Sequence, residues 1–125
     1  MRVLNICAAL SGAIALIALA ARHAKPDVDI NVLMLAAIAQ LSAAAAGLAI
    51  ANRSGRLNAT AGAIILGGAF IFSGEIYFGA FTGNHSLIML APVGGALMIL
   101  GWIVLAFAKP ASLRSGRCSP SSERV

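Results

Sequence analysis

The chain is dominated by four long stretches that lack charged residues, apart from Glu75. They cover residues 3–21, 30–51, 59–81 and 87–108. A helix of about 20 apolar residues spans a hydrocarbon core of about 30 Å, and each stretch is of that length. Of the 125 residues, 60% are hydrophobic and 10% are charged, which is more apolar than a single soluble core requires. The sequence therefore predicts an all-α, polytopic membrane protein with four transmembrane helices.

The connections between these stretches are short and rich in turn-forming residues, around Pro26, residues 52–56 and Gly83. Short connections make neighbouring helices antiparallel, so residues 1–108 are expected to form an up-and-down four-helix bundle. Residues 109–125 are rich in Ser, Pro and Arg and are too polar to build a core. We expect them to form a mobile, basic cytoplasmic tail.

The distribution of Lys and Arg predicts the orientation in the membrane, because positive residues accumulate on the cytoplasmic side. One predicted side carries seven of them: Arg2, Arg53, Arg56, Lys109, Arg114, Arg117 and Arg124. The other side carries only Arg22 and Lys25. Both termini are therefore predicted to be cytoplasmic. The first stretch also fits a cleaved signal peptide, but its length favours a retained helix.

Small residues recur along the apolar stretches at helical spacing, which favours close helix packing in lipid. The residues predicted to form these contacts are Gly12, Ala44, Gly47, Gly68, Gly74, Gly94 and Gly95. Aromatic residues favour the boundary between hydrocarbon and water. Tyr77 and Trp102 are accordingly predicted to be interface anchors.

Glu75 is an intramembrane charge about 9 Å from the outer end of its predicted helix, at a rise of about 1.5 Å per residue. An ionised carboxylate at this depth is costly unless it is paired. Its candidate partners are Arg22, His23 and Lys25, which follow the first stretch. Three interpretations remain open: a structural ion pair, a proton or cation site, and a contact with another subunit or with lipid.

The sequence contains no pattern typical of an enzyme: no catalytic triad spacing, phosphate-binding loop or carboxylate pair is present. His23 and His85 do not match a metal-ligand motif, and Cys7 and Cys118 are not placed to form a disulfide. The basic residues flank apolar segments and do not form a stripe with exposed aromatics, which argues against nucleic-acid binding. We predict no enzymatic activity, no cofactor and no metal.

A set of residues in the second half is similar to a known family. The set comprises Phe72-Ser73-Gly74, Tyr77, Thr82-Gly83, Ala91-Pro92, Gly94-Gly95 and Gly101-Trp102. In order and spacing it resembles the YgdD-like family of small bacterial inner-membrane proteins of unknown function. The resemblance implies four transmembrane helices and an inner-membrane location, without an established activity. Gln40 stands where that family carries a histidine in its second helix.

These observations favour a non-enzymatic protein of the lipid bilayer, either an accessory subunit of a larger membrane complex or a self-associating scaffold. The competing hypothesis is a small oligomeric transporter or channel that uses Glu75 as a proton or cation site. Other membrane-protein subunits, or further copies of the chain, are the expected partners.

Overall fold

The computed structural model describes residues 2–53, 55–84 and 86–108, and the predicted tail lies outside the described residues. The four long helices are α1 (Arg2–Ala21), α2 (Ile30–Ala51), α3 (Arg56–Thr82) and α4 (Ala91–Phe107). Each of them, with its adjoining 3-10 turn where one is present, is long and apolar enough to cross a membrane. The predicted all-α fold with four antiparallel membrane-spanning helices is confirmed.

The helix ends are set by local backbone chemistry. α2 begins at a cap in which the Asp29 carboxylate accepts a hydrogen bond of 2.9 Å from the backbone N–H of Asn31. α3 starts three residues earlier than predicted, directly after Gly55, whose φ of 130° suits glycine. α4 starts four residues later, at Ala91, because a 3-10 turn precedes it and Pro92 fits the first turn of a helix.

The helices pack in chain order, with α1 on α2, α2 on α3 and α3 on α4, and α1 makes a smaller contact with α3. α4 packs chiefly against α3. The connections from α1 to α2 and from α3 to α4 lie at one end, called here the Pro26 end. The connection from α2 to α3 lies at the opposite end, called here the Gly55 end.

Small residues bring the backbones close at three helix contacts. A Cβ placed on Gly47 of α2 would stand 3.0 Å from Ala8 Cβ of α1 and 3.0 Å from Leu66 Cδ1 of α3. A Cβ on Gly68 of α3 would stand 2.8 Å from the Gly94 carbonyl oxygen of α4. Packing and hydrogen bonding must hold these helices together, since lipid gives them no hydrophobic drive to associate.

The core lies around α2 and α3. Its largest cluster of buried apolar residues comprises Ala8, Ala43, Ile50, Ile65, Leu66 and Ala69. α2 buries eight residues, whereas α4 buries two, Gly94 and Gly101. The outer helices α1 and α4 therefore leave most of their apolar surface for lipid or for a partner.

Candidate functional site

A cavity of about 500 Å³ opens at the Pro26 end, between the start of α2, the last turns of α3 and the start of α4. Three carboxylates line it, from Asp27, Asp29 and Glu75. Most of the other lining residues are apolar, among them Val32, Ile76 and Ile88. We call this cavity the acidic pocket, because its described lining residues include these three carboxylates and no Lys or Arg.

Glu75 is the carboxylate that α3 contributes to this pocket. It lies seven residues before the last residue of the helix, Thr82. Its Oε2 atom is buried and has no hydrogen-bond partner within the described part of the chain. In those same residues, no ion pair joins Glu75 to Arg22, His23 or Lys25. The polar cluster predicted from these four residues is not formed.

Lys25 is used differently from the prediction. Its Nζ donates a hydrogen bond of 2.6 Å to the carbonyl oxygen of Phe81, in the last turn of α3. The last carbonyls of a helix lack intrahelical partners and carry partial negative charge, so they attract a cation. This contact ties the connection between α1 and α2 to the end of α3, and it directs the ammonium away from Glu75.

A second cavity, of about 460 Å³, opens between α1 and α3 toward the Gly55 end. It is lined on α1 by Val3, Leu4 and Cys7, and on α3 by Ala59, Ala63, Leu66, Gly67 and Phe70. Ala59, Ala63 and Gly67 are spaced four residues apart and therefore lie on one face of α3. A Cβ on Gly67 would meet no atom within 4 Å, so the floor of this groove is open. We call it the α1–α3 groove.

The predicted packing residues fall into two groups. Gly12, Ala44 and Gly47 lie between α1 and α2, and Gly68 and Gly94 lie between α3 and α4. Gly74 and Gly95 face open space, since a Cβ on either would meet nothing within 4 Å. Among the described residues, neither of these two glycines packs against a neighbouring helix as expected. Composition identifies small residues, but only the crossing geometry decides which of them are covered.

Three buried polar side chains lie in the interior of α1, α2 and α3, namely Ser11, Gln40 and Ser73. Ser73 donates a hydrogen bond of 3.0 Å to the Ala36 carbonyl oxygen, which joins α3 to α2. Ser11 Oγ and Gln40 Oε1 have no hydrogen-bond partner among the described residues. The sequence singled out Gln40 through the family resemblance but gave no indication of the Ser73 contact beyond the presence of a serine inside an apolar helix.

The two predicted interface anchors occupy different environments. Trp102 is 46% exposed on the outer face of α4, as an aromatic residue facing lipid would be. Tyr77 is half-buried, and its hydroxyl group is buried without a hydrogen-bond partner in the described ranges. The side chain of Tyr77 therefore packs partly within the protein, and its role as an interface anchor stays a prediction.

The described residues contain no group of three or more His, Cys, Asp or Glu side chains that could hold a metal ion. Four apolar helices, two cavities and an isolated intramembrane carboxylate together define a small polytopic membrane protein. Residues 11–95 match a family described as a protein of unknown function, DUF423. The chain belongs to this family.

Two curated relatives are named UPF0382 membrane protein. The one from Haemophilus influenzae is 33% identical over 81 residues, which cover 65% of this chain and 62% of the relative. One from Staphylococcus epidermidis is 44% identical over 48 residues, which cover 38% of this chain and 39% of the relative. The match thus spans less than two thirds of either relative. No solved structure matches the chain. These similarities confirm a membrane protein of a family without known function, and the YgdD-like name stays a prediction.

Proposed function

We propose that this chain is an accessory or scaffold subunit that binds a transmembrane helix of a larger membrane protein in the α1–α3 groove. The observation that carries the proposal is the open stripe of Ala59, Ala63 and Gly67 along the floor of the groove. Small residues at four-residue spacing let helix backbones approach closely in lipid. A helix is therefore the occupant that this surface fits.

The contacts inside the chain support this interpretation. One small-residue face of α2 and one of α4 are covered: Gly47 lies against Ala8, and Gly94 lies against Phe72. The stripe ending at Gly67 is also made of small residues, but a Cβ on Gly67 meets no atom within 4 Å among the described residues. An additional helix would give the groove the kind of contact that the chain already makes elsewhere.

A matched pair of glycine substitutions tests the proposal. Gly67→Leu adds a side chain to the groove at a position where a Cβ meets no other atom within 4 Å, and Gly95→Leu adds the same side chain at an equally open position on α4. We expect the natural protein and Gly95→Leu to be extracted in native lipid discs with one stoichiometric larger partner. Gly67→Leu should lose that partner while keeping its thermal stability.

Site-specific photocrosslinking identifies the surface that is bound. A photoreactive residue at Ala63 should crosslink to a transmembrane segment of the same partner, and one at Ile99, exposed on α4, should not. Extraction of the chain as a lone homo-oligomer, or retention of the partner by Gly67→Leu, would overturn the proposal.

The proposed location is the bacterial inner membrane, with the Gly55 end facing the cytoplasm. Among the described residues, Arg2, Arg53 and Arg56 lie at that end, against Arg22 and Lys25 at the Pro26 end, which agrees with the positive-inside rule. Tags on the two termini should be cleaved from the same side of sealed membrane vesicles. Cleavage from opposite sides would contradict this orientation.

A second candidate function is a small oligomeric transporter or channel with Glu75 as its proton or cation site. The buried, unpartnered Oε2 of Glu75 beside a cavity favours it specifically. Intramembrane carboxylates commonly mark ion or proton pathways. In liposomes, Glu75→Gln should then abolish a cation or proton flux that the natural protein supports, and the absence of any flux would exclude this function.

A further inference from the structure

We propose that the acidic pocket is a binding site for an organic ammonium cation attached to an apolar body. The inference uses the site of the second candidate function and names its ligand class, but binding does not require transport. The pocket is separate from the α1–α3 groove, which lies toward the Gly55 end, the opposite end of the helix bundle.

The volume and lining of the pocket suit a small organic molecule. Ligand sites typically enclose about 300–1,000 Å³ and combine apolar walls with a few polar groups. The acidic pocket has about 500 Å³, with Val32, Ile76 and Ile88 among its apolar residues. An apolar body would contact these side chains.

The charge of the lining selects a cation. Among the described residues that line the pocket, the charged groups are three carboxylates, from Asp27, Asp29 and Glu75. Lys25, the nearest cation in sequence to Asp27, donates its hydrogen bond to Phe81 at the end of α3. Asp29 is also fixed in place, because its carboxylate accepts a hydrogen bond from the backbone N–H of Asn31 at the start of α2. A positive ligand would therefore meet acceptors without displacing a cation of the protein.

The depth of Glu75 distinguishes this pocket from an acidic surface. Its Oε2 is buried beside the pocket and accepts no hydrogen bond in the part of the chain that the structure describes. A buried carboxylate without a hydrogen-bond partner is costly, and a cation in the adjoining pocket lowers that cost by neutralising its charge.

The arrangement favours an extended cation over a bare metal ion. No three acidic, histidine or cysteine side chains in the described ranges converge closely enough to ligate a metal. Carboxylates spread around an apolar cavity can instead face an ammonium group whose substituents occupy the apolar walls. The ammonium headgroup of phosphatidylethanolamine and a free lipophilic amine share this chemistry.

The binding test uses the full chain in nanodiscs of phosphatidylglycerol, which has no ammonium group. The probe is benzyltrimethylammonium, measured by equilibrium dialysis, with its uncharged carbon isostere neopentylbenzene as the comparison ligand. We expect saturable binding of the cation and at least about tenfold weaker binding of the isostere.

Matched variants locate the site. Glu75→Gln should weaken binding by about tenfold or more, whereas Glu123→Gln, the same change in the C-terminal tail, should leave binding unchanged. Ala80→Leu keeps all charges but narrows the pocket, and it should also weaken binding. Thermal unfolding of each variant shows that loss of binding is not loss of folding.

Adding phosphatidylethanolamine to the nanodiscs distinguishes the two sources. If phosphatidylethanolamine weakens binding of the probe, the ligand of the pocket is a lipid headgroup. If probe binding is undiminished, the ligand is a free amine. No saturable binding, or equal binding by Glu75→Gln and the natural protein, would overturn the proposal. Binding without liposome flux would exclude the transport function and support the binding site. Flux without binding would overturn the binding site and support the transport function.

Discussion

α2 and α4 are both strongly apolar but have very different surroundings. α2 is long and apolar enough to span a membrane, and so is α4 together with the 3-10 turn that precedes it. α2 lies between α1 and α3 and buries eight residues, including Leu33, Gln40 and Ile50. α4 packs chiefly on α3 and buries only two glycines. The comparison shows that apolar character suits a helix to the membrane, whereas the number of helices packed against it decides whether it is central or peripheral.

The largest expected effect concerns the contact that holds α4. A Cβ on Gly94 would stand 2.6 Å from the Phe72 amide nitrogen and 2.9 Å from the Gly68 carbonyl oxygen, and backbone atoms cannot yield without moving a helix. Gly94→Ala should destabilise the protein by about 2–3 kcal/mol, the upper part of the range expected for overpacking. Thermal unfolding in detergent measures this change.

The neighbouring glycine provides a control for that prediction. Gly95→Ala meets open space, so its effect should be neutral or stabilising, by up to about 0.5–1 kcal/mol, because alanine restricts the unfolded chain. Equal destabilisation by the two alanine variants would show that α4 is not held by a close contact at Gly94.

A smaller effect is expected at the centre of the bundle. A Cβ on Gly47 of α2 would approach Ala8 Cβ and Leu66 Cδ1 to 3.0 Å, and the Leu66 side chain can rotate to relieve part of that contact. Gly47→Ala should therefore cost about 1–2 kcal/mol in the same unfolding measurement. A cost above that of Gly94→Ala would mean that the central helix tolerates added volume less well than the α4 contact does.

The smallest effect is expected for the hydrogen bond between α3 and α2. Ser73→Ala removes the 3.0 Å bond to the Ala36 carbonyl but leaves packing nearly unchanged. Hydrogen bonds between transmembrane helices average about 0.6 kcal/mol, so the loss should be of that size. Ser42→Ala is the control, since Ser42 is exposed on α2 and bonds only to its own helix, at Ala39. A Ser73→Ala variant no less stable than Ser42→Ala would contradict a role for this bond.

The sequence was sufficient to predict the spans, because an uncharged run of about 20 residues has few alternatives to a membrane helix. It was insufficient for the surroundings of Glu75. Lys25 was a reasonable partner by position, yet the free carbonyl of Phe81 lies within its reach and accepts its hydrogen bond. Choices between two acceptors depend on distances of a few ångströms, which residue spacing does not specify.

The same limit applies to the small residues. Gly94 and Gly95 are adjacent and alike in sequence, but a helix turns by about 100° per residue, so only one of them faces α3. Their roles could be separated only once the rotation of α4 was known. The acidic pocket was missed for a related reason, since its carboxylates come from two regions that the fold brings together.

The attachment of α4 to α3 also bears on biogenesis. Helices leave the ribosome in chain order, and the contacts of α1 with α2 and of α2 with α3 involve only segments made before α4. The last helix to enter the bilayer thus joins a partner that is already assembled. Synthesis and assembly can proceed in the same direction, and no earlier helix pair has to separate to admit the final one.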